Sequence, residues 1–314
     1  MSDDGARRFE IVIGKGGVGR TTVAASIALA SSRAGLGTLL ATTGSKERVS
    51  HMIGPPPVGL VNTTISSTLD AVALEPWACI EEYTLMMLRL RSLQRIVFGN
   101  RFMKNFVTGI PGIYEWAILG KATYHVMEKK RRRPVYDRIV LDAPATGHGL
   151  ALLRVPLLIR TAVSSGPVLR DANERWKLMA DPETTRIVLV TLAEEMVVTE
   201  TLQLRDELID ELGLEVGLVV VNKVIPPLFD RHDEEKILSI VKNGGSDERM
   251  RAAALRIHRS RIQRAQIKRL HAGMEAPFLE LPLLATRRFS KKALGRLAPS
   301  FEPTPAVEFS DAGT

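Results

Sequence analysis

The sequence predicts an α/β fold, a doubly wound and mostly parallel sheet with a helical insertion subdomain, on three observations. An apolar run, Phe9 to Ile13, feeds the glycine-rich stretch Gly14-Lys15-Gly16-Gly17-Val18-Gly19-Arg20-Thr21-Thr22, which opens into a helix-like run from Val23. Further along, short apolar runs alternate with helix-length segments, the pattern of strands covered by helices on both faces. One of those runs, Tyr136 to Asp142, ends on a carboxylate and is followed by Ala143-Pro144-Ala145-Thr146-Gly147-His148-Gly149.

Taken in order, Val23, Ile27, Ala30 and Ala34 keep helical spacing, and Gly35 suits a helix end. Thr38 to Thr42 reads as a buried strand, so strand, helix and strand fall within about thirty residues and the two strands are parallel. Leu69 to Leu74 is a third strand, closed by Glu75-Pro76, with the proline suited to a helix's first turn. From Ala78 to Lys130 the pattern is mainly helical and rich in Leu, Met and Phe, broken only by Ile110-Pro111-Gly112. It shows no strand signal and is expected to cover one side of the sheet. Arg186 to Leu192 is a strand, Glu195 to Leu212 an amphipathic helix ended by Gly213, and Val216 to Asn222 a near-continuous apolar strand. A basic helix, Arg249 to Leu270, and a short strand, Phe278 to Pro282, complete the pattern. The expected organisation is a single domain over residues 9–300, with the insertion at about 78–130 and flexible tails at 1–8 and 301–314.

Composition narrows the chemistry. With 314 residues and 45% hydrophobic content the chain can build a large core. The single Cys79 excludes an internal disulfide framework and a multi-cysteine metal site. No apolar run reaches the ~18–20 residues needed to span a bilayer, and the N-terminus lacks a secretory signal's apolar core. A cytoplasmic protein, peripheral to a membrane at most, is expected. The net charge of +8 is concentrated in Lys129-Lys130-Arg131-Arg132-Arg133 and in the helix from Arg249 to Arg269. Each block reads either as a solvated face or as a surface for an anionic partner.

A glycine-rich turn between strand and helix lets backbone N–H groups converge on phosphate oxygens, aided by the positive end of the helix. Gly16, Gly17, Val18, Gly19, Arg20, Thr21 and Thr22 are therefore the candidate cradle for ATP or ADP. The Thr21 hydroxyl and Asp142 are the candidate Mg²⁺ ligands, because phosphoryl transfer needs a cradle, a metal and a positioned water. The general pattern G-x-x-x-x-G-K-[ST] asks for lysine where this chain has Arg20.

Lys15 to Thr22, Lys-Gly-Gly-Val-Gly-x-Thr-Thr, is the deviant form of the phosphate loop, with a lysine placed early. Asp142 to His148 resembles a second switch, which brings in Pro144, Thr146 and Gly147. With Leu69 to Tyr83, Pro111-Gly112-Ile113 with Glu115, Val221-Asn222-Lys223 and Leu281-Pro282-Leu283, the chain resembles the arsenite-pump ATPases and tail-anchored-protein targeting ATPases, phosphate-loop NTPases, over roughly residues 9–300. The resemblance implies adenine-side roles for Asn222, Lys223 and Pro282, and a dimer that closes around ATP and Mg²⁺ at its interface. It further implies that Lys15 reaches the partner's nucleotide, with Lys15 and Asp142 as the catalytic candidates. The residues alone leave Lys15 open as a solvent-facing lysine, His148 as a turn residue and Asn222 as a strand cap.

Three departures from that pattern matter. Arg20 replaces the loop lysine, keeping the charge but presenting a wide planar fork. Thr43 stands where the family's first switch carries a water-positioning aspartate, and no carboxylate follows before Glu47. The zinc-binding Cys-x-x-Cys pair and the metalloid-binding cysteine triad are both absent. Positioning and charge stabilisation are most of what such a site provides, so weak or absent hydrolysis at the chain's own site is expected. Pairing with a competent paralogue is expected in preference to a homodimer. The alternatives are a non-hydrolysing scaffold or chaperone for a hydrophobic or membrane-protein client, and a partition-type ATPase using the basic helix on DNA. No specific nucleic-acid partner and no transmembrane segment are expected.

Overall fold

The computed structural model describes residues 7–88, 109–144, 146–244, 247–286 and 289–302. Among the described residues ten strands form: β1 (Phe9–Gly14), β2 (Thr38–Thr42), β3 (Thr63–Ser66), β4 (Leu69–Ala73), β5 (Lys129–Lys130), β6 (Arg133–Pro134), β7 (Arg138–Asp142), β8 (Thr185–Leu192), β9 (Val216–Val224) and β10 (Phe278–Pro282). The helices are α1 (Arg20–Arg33), α2 (Lys46–Ile53), α3 (Pro76–Leu88), α4 (Ile113–Met127), α5 (Thr146–Ala162), α6 (Pro167–Ala180), α7 (Glu195–Asp206, with a π turn to Glu211), α8 (Arg231–Lys242), α9 (Glu248–Gly273) and α10 (Lys291–Leu297).

Eight strands make one sheet in the order β10-β9-β8-β1-β7-β2-β4-β3. Every pairing is parallel except that of the edge strand β3 with β4. β1 and β7 are fully buried along their lengths, with Ile11 to Ile13 and Ile139 to Leu141 covered on both faces. Two apolar cores lie on opposite faces. One packs α1, α2 and α10 through Val23, Ile27, Val49 and Leu294 against Val12, Leu40 and Val140. The other packs α3 to α7 and α9 through Trp116, Leu119, Leu152, Val198 and Leu270 against Ile11, Ile13 and Leu141. The doubly wound sheet expected from the sequence is thus present.

β1 lies between β7 and β8, where the chain's crossovers change direction, so the carboxyl ends of β1, β7 and β2 flank the crevice in which such sheets hold ligands. A buried ion cluster joins β1 to β7 and β8 at the other end of the sheet. Glu10 on β1, fully buried, accepts from Arg186 on β8 at 2.6 and 3.0 Å and lies 3.7 Å from Arg138 on β7. Removing one partner of such a cluster costs about 3–5 kcal/mol, because a buried charge is left uncompensated.

Several elements are additions to the sequence reading. Helices α2, α5, α6, α8 and α10 and the edge strand β3 carried no prior assignment. The second insertion helix ends at Met127 rather than near Lys130. The basic block that follows is a hairpin, β5 to β6, whose turn residues Arg131 and Arg132 take positive φ of 50 and 69°. The insertion's end therefore does hold a short strand pair, which its charge-rich composition concealed. The stretch Leu90 to Phe106 of the Leu-, Met- and Phe-rich insertion lies outside the described residues, as do Ala145 and most of both expected tails.

Candidate functional site

The loop between β1 and α1 is shaped by two close approaches. Gly14 has φ +152°, and a Cβ there would meet the Val190 carbonyl oxygen of β8 at 2.3 Å. Gly19 has φ +96°, and a Cβ there would meet Asn222 Nδ2 at 2.3 Å. Only glycine fits either position. Between them, Gly16 and Gly17 are exposed with open space where a side chain would begin. Their N–H groups donate to no protein acceptor among the described residues. Gly19 caps α1 with no side-chain hydrogen bond, and the helix's first turn holds no acid. Unpaired amides over an uncapped helix N-terminus fit a phosphate.

Asn222, at the end of β9, holds this loop from below. Its Nδ2 donates to the Val18 carbonyl at 2.8 Å, and its Oδ1 accepts from the Lys223 N–H at 2.9 Å. Lys223 has a left-handed φ of 57°, held in place by its neighbours: Gln263 of α9 donates to its carbonyl at 3.1 Å and accepts from the Ile225 N–H at 2.7 Å. Lys223 Nζ lies 3.4 Å from the Gly17 carbonyl. Pro282 ends the adjacent β10 and is exposed. Asn222 is 4% exposed, with its amide bonded to the loop.

Asp142 is 2% exposed at the end of β7. Its Oδ2 accepts from the Thr42 hydroxyl at 2.9 Å, and the Thr21 hydroxyl also bonds to its carboxylate. Burial pushes the Asp142 carboxyl above its ordinary range, against the pull of those two hydroxyls and of Arg20 and Arg48. Among the described residues no group of three or more His, Cys, Asp or Glu could hold a metal. The Thr21 hydroxyl and the Asp142 carboxylate are the groups here that could hold a cation, a hard-oxygen pair suited to Mg²⁺ that keeps several waters.

The two departures noted in the sequence have clear geometry. Arg20 Nη1 donates to the carbonyl of Ala143, directly after Asp142, which ties the guanidinium to the chain leaving β7. Burial lowers the Arg20 pKa while Asp142 raises it. The Thr43 hydroxyl donates to the Asp142 carbonyl oxygen at 2.9 Å, and the Thr43 N–H donates to the same oxygen at 3.1 Å. Lys15 Nζ forms an ion pair with Glu200 of α7 at 3.5 Å, with side chains 29% and 39% exposed. Pro144 lies two residues after Asp142, and Thr146 and Gly147 open α5.

The structure thus brings Gly16 to Thr22, Asp142, Thr43, Asn222 and Lys223 to one end of the sheet. Glu200, Gln263, Thr42 and Arg48 were missed in the sequence. Thr42 alone left a trace, as the polar end of an apolar strand; the others come from elements distant in the chain.

A family model described as anion-transporting ATPase matches residues 7–166 and 167–240. The chain is 30% identical over 304 residues to ATPase BagA of Mycobacterium tuberculosis, with 88% of each chain covered. It is 26% identical over 266 residues to ATPase GET3 of Mycosarcoma maydis, covering 73% of this chain and 76% of that one. To the arsenical pump-driving ATPase of Escherichia coli it is 24% identical over 238 residues, covering 70% of this chain and 40% of the other.

Proposed function

The chain belongs to the anion-transporting ATPase family, and from that membership we propose that it is an ATP-binding subunit of a dimeric ATPase, impaired at its own site. The observation that carries the reading is the fate of Arg20 and Thr43. Where phosphate neutralisation is needed, the guanidinium is bonded to the Ala143 carbonyl; where a carboxylate would orient water, a hydroxyl is bonded to the Asp142 carbonyl. The loop amides of Gly16 and Gly17 and the first turn of α1 bind the phosphates. Thr21 and Asp142 hold Mg²⁺, which when bound neutralises phosphate charge. Asn222 keeps Val18 and Gly19 in place, and Lys223 and Pro282 border the adenine side.

Lys15 then acts on the nucleotide of a second subunit, and that subunit is a paralogue with an intact loop lysine and switch aspartate. The partly exposed Lys15–Glu200 pair supports this, since ion pairs near the surface are worth about 0–1 kcal/mol and give way easily. A hydrophobic client is part of the reading. A cavity of about 400 Å³, bordered by Thr43 and Pro144 and by Trp77, Tyr114 and Ile118, joins the switch end of the sheet to α3 and α4.

The test is ATP turnover by the purified chain alone and by the chain mixed with its paralogue. Turnover by the pair alone supports the reading, and Arg20→Lys with Thr43→Asp should then restore activity to the isolated chain. Family-typical turnover by the chain alone overturns it. No turnover in any pairing favours a nucleotide-binding scaffold instead.

A further inference from the structure

Helix α9 carries cations at Arg249, Arg251, Arg256, Arg259, Arg261, Arg264, Lys268 and Arg269, and the fold accounts for three of them. Arg261 and Arg264 bracket the buried Glu234 of α8 at 2.9 and 3.0 Å, and Arg256 donates to the Pro226 carbonyl. Gln263 faces the nucleotide end, and Ala254, Ile257, Ser260, Ile267 and Leu270 face the core. Of the other five, Arg249 and Lys268 lie on other sides of the helix, and three form an outward stripe. Arg251, Leu255, Arg259, Ile262 and Arg269 stand at helical spacing and are all exposed. The three arginines of that stripe form no ion pair among the described residues. From Arg251 to Arg269 the stripe runs about 27 Å at ~1.5 Å per residue, with no acid on the helix in that interval.

Two bulky aliphatic side chains sit inside this charge, Leu255 at 56% and Ile262 at 59% exposure. Both point away from the core, so packing does not explain them. We propose that this face of α9 docks on an anionic phospholipid bilayer. Arginines on a helix lying flat meet lipid headgroup phosphates, while the two aliphatic chains enter the boundary between headgroups and acyl chains. A nucleic-acid backbone would use the cations and gain nothing from Leu255 and Ile262. A protein interface of useful stability needs a compact, desolvated centre of anchors, which a narrow stripe with two aliphatic side chains does not supply. The surface is separate from the nucleotide site, so the inference stands whether or not that site hydrolyses ATP.

The test is flotation of the full chain with vesicles of phosphatidylcholine, with and without roughly one quarter phosphatidylglycerol. Binding should require the anionic lipid and should be lost between about 0.1 and about 1 M salt, as the Debye length falls from about 10 to about 3 Å. Each cation near such a surface is worth about fivefold in binding, so Arg251→Gln, Arg259→Gln and Arg269→Gln together should weaken it about a hundredfold. Leu255→Ala with Ile262→Ala should weaken it about tenfold. All five residues are exposed, and an unchanged thermal melt verifies that each variant is folded. Equal binding to neutral and anionic vesicles, or no binding to either, overturns the proposal. So does binding to duplex DNA that falls with the arginine variant and is indifferent to the aliphatic one, with vesicle binding absent.

Discussion

Arg20→Lys is predicted to destabilise the empty protein and to improve its hold on nucleotide. In the structure the Arg20 guanidinium donates to the Ala143 carbonyl, linking the first turn of α1 to the chain that leaves β7. A hydrogen bond from a charged donor is worth about 1.5–3 kcal/mol, and the partly exposed position of Arg20 reduces this to about 1–2 kcal/mol. In a chain of this size that corresponds to a fall in melting temperature of roughly 2–4 °C. Lysine presents a compact ammonium with no planar fork to span the same gap. Freed from Ala143, it reaches the phosphates held by the loop, and one charge-assisted contact of this kind is worth about tenfold in affinity. Thermal melts without ligand and isothermal titration with Mg-ATP measure both effects. An unchanged melt together with weaker ATP binding would show that arginine is the phosphate ligand, and the account of the loop would fail.

Asp142→Asn tests the carboxylate. Burial raises the Asp142 pKa, so the folded state favours the proton and that contribution is lost as pH rises through the raised value. At neutral pH the buried charge therefore opposes folding. The asparagine variant should melt higher than the wild type in the absence of ligand, with the gap closing as pH falls through the carboxylate range, and nucleotide binding should lose its Mg²⁺ dependence. Glu200→Gln should leave the melt within about 1 kcal/mol, since the pair is partly exposed. By releasing Lys15 it should raise turnover of the proposed dimer about two- to fivefold, measured against the same dimer with Glu200. Asn222→Ala removes the bonds to Val18 and Lys223. It should cost about 2–3 kcal/mol in a denaturant titration and weaken ATP binding measurably.

The parallel sheet was legible because its strands are continuous apolar runs bounded by glycine, proline or a carboxylate, as in Val216 to Asn222 and Tyr136 to Asp142. The loop was legible for a different reason, since four glycines within six residues between a strand and a helix have few other uses. β3 escaped because an edge strand with one exposed face, Thr63 to Ser66, has too little apolar content to signal itself. Helices α8 and α10 are short and mostly polar, so their amphipathic faces emerge only against α9 and α1. Asn222 was visible as a candidate, but its brace on the loop was not. That brace depends on a contact 204 residues away in sequence, between Asn222 and Val18. For the same reason the Lys15–Glu200 pair had no sequence signal. The basic helix was evident, whereas the neutralisation of Arg261 and Arg264 by Glu234 required the fold.

On the proposed function, this chain's active contribution is Lys15, delivered to another subunit's nucleotide. ATP turnover by the chain paired with the proposed paralogue, comparing wild type with Lys15→Ala in this chain alone, measures that contribution directly. A loss of at least about tenfold in turnover is expected, the scale of one preorganised charge contact, with ATP binding to the isolated chain unchanged. Turnover by the isolated wild-type chain matching that of the pair, or a Lys15→Ala pair as active as the wild type, would contradict it.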